Sequence, residues 1–430
     1  MKIGDLLNKD IKCSCGRVHR CDIRSLTIGK GALDALPTAV EPYHHILLVA
    51  DNNTYPLCGE RVRELIGDKI CGVCLYDSPK AVLPDEGAIK ELEAKLQEDT
   101  DLILGIGSGV INDLCKYVSF GHGIMSGIVA TAPSMDGYAS SGAAMITDGM
   151  KVTYTTHAPD IIVADSEILK NAPMHMIRSG YGDIIGKYSS LNDWKLAHLI
   201  KGEHLCPVLH ELVMKTTDDI RDSVAAIVAR DGDAIEKLMS ALVLIGMTLT
   251  LSETTRPGSG SEHHLSHFSE IVGLVKNEKH LAHGTDVAYN TIITAAMREK
   301  ICALSTPVFK EEPAEKRERA WDELYGSVAA EVRALQETAG SYTRDMKPIY
   351  LEKWNEIREI LSECPTADEC NRMMEAVGFS FPEYKEFYGE EKIQKAILYG
   401  KDLKDRYSVL WLYYTLFSGS DEKIALKWGE

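Results

Sequence analysis

Asp183, His263, His267 and His283 are side chains of the types that hold a divalent ion. Gly182-Asp183-Ile-Ile-Gly186-Lys187 places a carboxylate near the start of a helix. Gly258-Ser-Gly-Ser-Glu-His263-His264-Leu-Ser-His267 opens another helix, and His280-Leu-Ala-His283-Gly284 precedes a third. His263 and His267 are four apart and share a helix face, while His283 comes from a separate segment. One carboxylate with two imidazoles binds Zn²⁺ or a similar ion and leaves positions open for substrate. If His263 and His283 ligate with Asp183, His267 stands one turn further along, where it could bond a substrate hydroxyl or relay a proton. The alternative exchanges His263 and His267, and spacing does not choose. His264 and His280 read as bystanders, exposed or satisfied in the core.

A second constellation suits a dinucleotide. Ile103 to Cys115 reads as a strand, the glycines of Gly105-Ile-Gly107-Ser-Gly109, and a helix opening at Val110. Such glycines admit a pyrophosphate close to the backbone at a helix N-terminus. The pattern is G-x-G-x-G, which a tight turn without ligand explains equally well. A second strand end at Thr131-Ala-Pro-Ser134, followed by Asp136-Gly-Tyr-Ala-Ser140, puts a polar cluster on the same carboxyl edge, where open α/β sheets bind ligands. Asp51, closing an earlier strand, is either an acceptor for an adenosine ribose, favouring NAD, or a plain turn residue.

The elements that position these groups read in two halves. His45–Ala50, Asp101–Ile106, Gly127–Ala130 and Asp160–Ala164 are short apolar runs ended by turn residues, the signature of buried parallel strands. Residues 1–171 therefore read as an α/β dinucleotide-binding domain. Beyond Asn171 the patterns are amphipathic and helical, as in Ile235–Leu251, Val287–Leu304 and Arg317–Glu337, so 172–430 reads as an all-α domain for metal and substrate. The charged stretch Lys310–Arg319 reads as a solvated loop and helix start.

The chain has 430 residues, 45% hydrophobic, with 47 Lys and Arg against 64 Asp and Glu, a net charge of −17. That balance argues against nucleic acid or an anionic membrane surface as main partner and leaves a small-molecule substrate. No uncharged apolar stretch of about 18 residues occurs, and eleven scattered cysteines make a poor disulfide framework, so the chain reads as cytoplasmic. Cys13, Cys15, Cys21 and Cys71-x-x-Cys74 suggest zinc, but the spacings do not form two regular knuckles. Cys13-Ser-Cys15-Gly16 reads instead as a turn between short strands.

Taken together the motifs resemble the sn-glycerol-1-phosphate dehydrogenase family, a branch of the superfamily of iron-type alcohol dehydrogenases, glycerol dehydrogenase and dehydroquinate synthase. The matching stretches are Gly107-Ser-Gly-Val-Ile-Asn-Asp113, Thr131-Ala-Pro-Ser-Met-Asp-Gly-Tyr-Ala-Ser140, Gly182–Lys187, Arg256-Pro-Gly-Ser-Gly-Ser-Glu-His263 with His267, and Ala282-His-Gly284. Beyond Lys310 only Arg406-Tyr407 matches. The resemblance implies an active site in a cleft between the two domains. It implies metal ligands Asp183, His263 and His283, and substrate contacts Asp136, Asp183 and His267. For the cofactor it implies Asp51, Gly107, Ser108, Gly109, Val110, Ile111, Asn112, Asp113, Thr131, Ala132, Pro133, Ser134 and Ser140.

It further implies NAD(H) or NADP(H), one Zn or Ni ion, and often a homodimer or larger homo-oligomer. The implied reaction is reversible reduction of dihydroxyacetone phosphate to sn-glycerol 1-phosphate, a product that could enter phospholipid biosynthesis. A polyol dehydrogenase of the glycerol type is the alternative, and a silent nucleotide- or metal-binding protein a remoter one; dehydroquinate synthase carries Glu where Asp183 stands. A phosphorylated substrate needs cationic partners in this acidic chain, and Lys187 and Arg256 are the candidates, the other reading being surface charges that cap helices.

Overall fold

The computed structural model describes residues 3–77, 81–147, 150–420 and 423–426. The chain folds as two compact units. The first takes the residues up to Ile184 together with Glu211–Thr255, and the second takes Ile185–His210 and everything from Arg256 onward.

The first unit opens with a small antiparallel pair, β1 (Ile11–Lys12) and β2 (Val18–His19), joined through the turn expected at Cys13-Ser-Cys15-Gly16. Its main sheet comprises β3 (Ser25–Gly29), β4 (Ile46–Asp51), β5 (Ile70–Tyr76), β6 (Leu102–Gly107), β7 (Met125–Ala130) and, after an antiparallel hairpin of β8 (Gly142–Thr147) and β9 (Met150–Thr155), β10 (Ile161–Asp165). The spatial order is β3-β10-β7-β6-β4-β5, and every pairing is parallel. Four of these strands are the apolar runs of the sequence. Their residues are buried because helices and turns cover both faces of a parallel sheet. The unannounced β3 and β5 are the edge strands, only partly buried, with Ser, Thr, Gly and Cys diluting the apolar signal.

From β4 the chain steps outward to β5 and then returns to lay β6 on the other side of β4. That reversal is a topological switch point, where the loops leaving two neighbouring strands diverge and open a crevice. Asp51 ends one of these strands and Gly107 the other.

The sequence suggests one boundary after residue 171, whereas the units interleave. The apolar Gly232–Ser252 helix belongs to the first unit because it lies hard against the Asp136–Ala139 turn. A Cβ on Gly246 would sit 2.5 Å from the Asp136 carbonyl oxygen, so only glycine allows the approach. Thr250 Oγ1 also donates to the Ala139 carbonyl at 3.2 Å. By length and composition this helix could cross a membrane, but most of it is buried in the unit's core.

The second unit contains no strands among its described residues, as the helical patterns foretold. Buried Asp193 organises it. Its carboxylate accepts from Ser261 N at 2.6 Å and from Val409 N at 2.9 Å, and pairs with the buried Arg298 guanidinium at 2.9 Å. One side chain thus fixes the starts of the Ser261–Lys276 and Val409–Phe417 helices. The Arg317–Glu337 pattern is two helices, Ala314–Tyr325 and Ala329–Ala339, broken at Gly326, whose φ of 48° favours glycine.

Candidate active site

In the second unit, the Ser261–Lys276 helix begins where Gly260 passes so close to the Lys187–Lys201 helix that a Cβ would fall 2.6 Å from Ser190 Cα. This fixes the helix start and therefore the direction of its first two turns. His263 and His267 share one face, and His283 is the first residue of the His283–Cys302 helix. The ring centroids of His263 and His283 are 5.0 Å apart, those of His267 and His283 5.9 Å, and those of His263 and His267 6.2 Å. One ring nitrogen of His263 lies within 4.8 Å of one of His283.

Glu262, which drew no attention in the sequence, is fully buried beside them. Its Oε1 accepts from Gly260 N at 2.8 Å and lies 2.7 Å from His263 Nδ1. An oxygen already accepting from a backbone amide makes Nδ1 the donor, which leaves the lone pair on Nε2. That is the usual arrangement around a metal-binding imidazole. Burial raises the Glu262 carboxyl, while a Ser189 hydrogen bond, backbone amides and the Lys187 charge draw it back.

In the first unit, Asp183 occupies the last turn of the Met174–Ile185 helix rather than the start of one, because the helix begins nine residues earlier and continues through the Gly180 contact. It is fully buried, and its Oδ2 accepts from Asp136 N at 3.0 Å. The Asp183 carboxylate thus holds the backbone of the segment that carries Asp136. Gly180 makes this possible: a Cβ there would lie 2.0 Å from the Pro133 carbonyl oxygen, so the helix and the Thr131–Ser140 segment touch backbone to backbone.

The residues expected to hold a cofactor begin at the carboxyl ends of β4, β6 and β7. Ser108 precedes the Gly109–His122 helix, and Thr131 N donates to the Gly107 carbonyl at 2.9 Å. Gly107 must be glycine, since a Cβ would meet Ile111 at 2.6 Å. Ser108, Gly109 and Val110 are partly exposed, whereas Ile111 and Asn112 point into the core. Asp113 pairs with Lys116 at 2.9 Å and accepts from Ala144 N, which makes it a strut for the β8–β9 hairpin. Buried Lys116, also missed in the sequence, reaches the Gly137 carbonyl at 3.1 Å and the Gly142 carbonyl, holding the segment that carries Asp136 and Ser140. Asp51 forms the turn of its plain reading, its Oδ1 accepting from Asn53 N and Thr54 N at 2.8 Å each.

The two cationic candidates for phosphate are buried, not surface charges. Arg256 is buried and spends all three guanidinium nitrogens, two on Glu203 at 2.8 and 2.6 Å and one on the Tyr407 carbonyl at 2.6 Å. Three of its five N–H donors are thus engaged within the second unit. Lys187 is fully buried and donates to the Gly258 carbonyl at 2.9 Å, bracing the loop before the histidine helix. His264 is a core residue whose burial holds its pKa well below the usual value, and His280 is exposed.

Comparison with known proteins agrees with this architecture. Residues 27–173 match the iron-containing alcohol dehydrogenase family. An archaeal alcohol dehydrogenase from a halo-thermophile of a Red Sea brine pool superposes with a TM-score of 0.59 at 15% identity, covering 95% of each chain. Glycerol dehydrogenase from Schizosaccharomyces pombe gives 0.52 at 15% identity, over 90% of this chain and 94% of that one. The fold is therefore that of the iron-type alcohol dehydrogenases, a parallel six-stranded α/β unit and a helical unit.

Sequence comparison narrows the class. The glycerol-1-phosphate dehydrogenase [NAD(P)+] of Bacillus licheniformis is 30% identical over 407 residues, 93% of this chain and 90% of that protein. The enzyme of the same name from Halalkalibacterium halodurans is 33% identical over 293 residues, 66% of this chain and 73% of that protein. The chain belongs to the glycerol-1-phosphate dehydrogenase family and is an oxidoreductase.

Proposed function

We propose that the protein reduces dihydroxyacetone phosphate to sn-glycerol 1-phosphate with NADH or NADPH, at one Zn or Ni ion held by Asp183, His263 and His283. The observation that carries this reading is the His263–His283 pair, with ring nitrogens within 4.8 Å and Glu262 fixing the His263 tautomer. Two neutral imidazoles presented in this way suit a borderline-soft divalent ion, and a buried carboxylate completes a three-ligand set with room for substrate. The names of the bacterial relatives support the substrate and the dinucleotide.

When bound, the ion would polarise the C2 carbonyl and the nicotinamide would supply the hydride. The protein's own part is positioning and proton management. His267, half-buried one turn beyond His263, holds the proton that the C2 oxygen takes up. Asp136 accepts from a substrate hydroxyl, its backbone locked by Asp183. The crevice beside Gly107, Ser108 and Gly109 receives the pyrophosphate on the amides that open the Gly109–His122 helix. Thr131, Ala132, Pro133, Ser134 and Ser140 line its far side, and Asp51 offers its remaining carboxylate oxygen to the ribose. Eleven thiols without a disulfide suit a reducing cell interior.

The test is NADH oxidation with dihydroxyacetone phosphate in chelator and after adding back Zn²⁺ or Ni²⁺, with the chirality of the product determined. Metal-dependent formation of the sn-1 isomer is expected. Turnover of glycerol or another unphosphorylated polyol in its place would move the activity to the polyol dehydrogenases.

A further inference from the structure

The β1–β2 turn carries three groups that the proposed reaction does not use. Cys13, Cys15 and His19 each present one ligand atom, and these atoms lie within 4.8 Å of one another. Cys15 Sγ is 3.4 Å from His19 Nε2, and Cys15 N donates toward Cys13 Sγ at 3.5 Å. A tetrahedral zinc ion with about 2.3 Å to sulfur and about 2.0–2.1 Å to nitrogen sets such S and N donors roughly 3.6 Å apart. The observed separation is close to that edge. The Cys15 amide aimed at Cys13 Sγ further favours the thiolate form that binds metal.

His19 is prepared for the same role. It is buried, and its Nδ1 lies 2.6 Å from the carbonyl oxygen of Leu251. A carbonyl only accepts, so Nδ1 carries the proton and Nε2, facing Cys15, carries the lone pair. Leu251 is the penultimate residue of the Gly232–Ser252 helix, and its carbonyl is among those the helix itself leaves without a partner. A metal-ligating histidine anchored to a carbonyl through its other nitrogen is the common outer-shell arrangement.

The hairpin also has reason to need a tie. Each strand is two residues long, and a two-stranded ribbon of that size does not hold itself in water. We propose that Cys13, Cys15 and His19 bind a structural zinc ion that fastens the N-terminal hairpin to the end of the Gly232–Ser252 helix. Binding deprotonates both thiols, with the two protons released to solvent, and a further thiol or a water fills the fourth position.

The full-length chain is purified, loaded with Zn²⁺, and its zinc per chain counted with and without a mercurial that titrates thiols. One equivalent should be released by the mercurial, and the Cys13→Ser/Cys15→Ser variant should carry one equivalent less than the unaltered chain while keeping dihydroxyacetone phosphate reduction. Equal zinc in both proteins overturns the proposal. Should the variant fail to fold, Co²⁺ loading of the unaltered chain decides. A thiolate-to-cobalt charge-transfer band supports the site, and a cobalt protein without one refutes it. The Asp183, His263 and His283 set contains no sulfur, so failure of that centre would leave the band in place.

Discussion

Glu262 accepts from the imidazole of its own chain neighbour, His263, at 2.7 Å, with Gly260 N donating to the same oxygen at 2.8 Å. Glu262→Gln keeps an acceptor and removes the charge that makes the ring more basic. Metal affinity should fall by about 10- to 100-fold, measured by zinc titration of the stripped protein. An unchanged affinity would mean that the carboxylate only packs.

His283→Ala should strip the ion, whereas His267→Ala should keep it and lower kcat by about 10²- to 10⁴-fold, the range for a lost acid–base group. Metal analysis of the two variants beside their turnover makes the distinction. Metal loss in His267→Ala with retention in His263→Ala would reverse the roles of the two histidines.

Gly107→Ala places a methyl group 2.6 Å from Ile111 at the mouth of the crevice. Relief of that clash should cost about 1–3 kcal/mol of stability and raise the Kd for NADH, read by fluorescence titration. NADH binding at full strength would place the cofactor elsewhere.

Arg256→Ala should lower Tm without changing the preference for phosphorylated over unphosphorylated substrates, since the guanidinium is spent on Glu203 and Tyr407. The loss should be about 3 kcal/mol, the low end for a buried ion pair because Glu203 is partly exposed. A selective rise in KM for the phosphorylated substrate would restore the arginine to the site.

His210, packed near Trp194 with ring centroids 6.4 Å apart, has its pKa lowered to about 4 by burial first and the nearby Lys195 charge second. The unfolded chain takes up this proton near pH 6.5 and the folded protein only near 4, so stability should fall as pH drops through that window. The full effect is about 3 kcal/mol. His210→Phe should flatten this part of the Tm-against-pH curve, and an unaltered slope would assign the acid sensitivity to other groups.

Much of the site was legible because residue type carries the chemistry. Asp183, His263, His267 and His283 drew attention by residue type, though spacing left His263 and His267 interchangeable as ligands, and Gly107 is demanded by a turn that a Cβ would block. Glu262 was not legible, since an acid in the first turn of a helix normally reads as a partner of the helix dipole. The burial of Lys187 and Arg256 was hidden for a related reason. Sequence reports that a charge exists but not whether a carboxylate such as Glu203, 53 positions away, already holds it. The central strands announced themselves through continuous apolar runs, while β3 and β5, wet on one side, did not. Their order in the sheet, and with it the switch point, depends on pairings between distant segments that no local pattern encodes.

The interleaving of the two units has a consequence for how the chain is made. A ribosome delivers every strand of the main sheet by residue 165, yet the helix that seals the Asp136–Ala139 turn emerges only at 232–252, after a stretch committed to the other unit. The nascent sheet must therefore wait, with an apolar flank uncovered, until Ser252 has been added. A fragment cut after residue 171 would remain in that state permanently and should require a chaperone or aggregate, whereas a chain in which excision of 185–210 joined residue 184 directly to 211 would let the first unit mature with less delay.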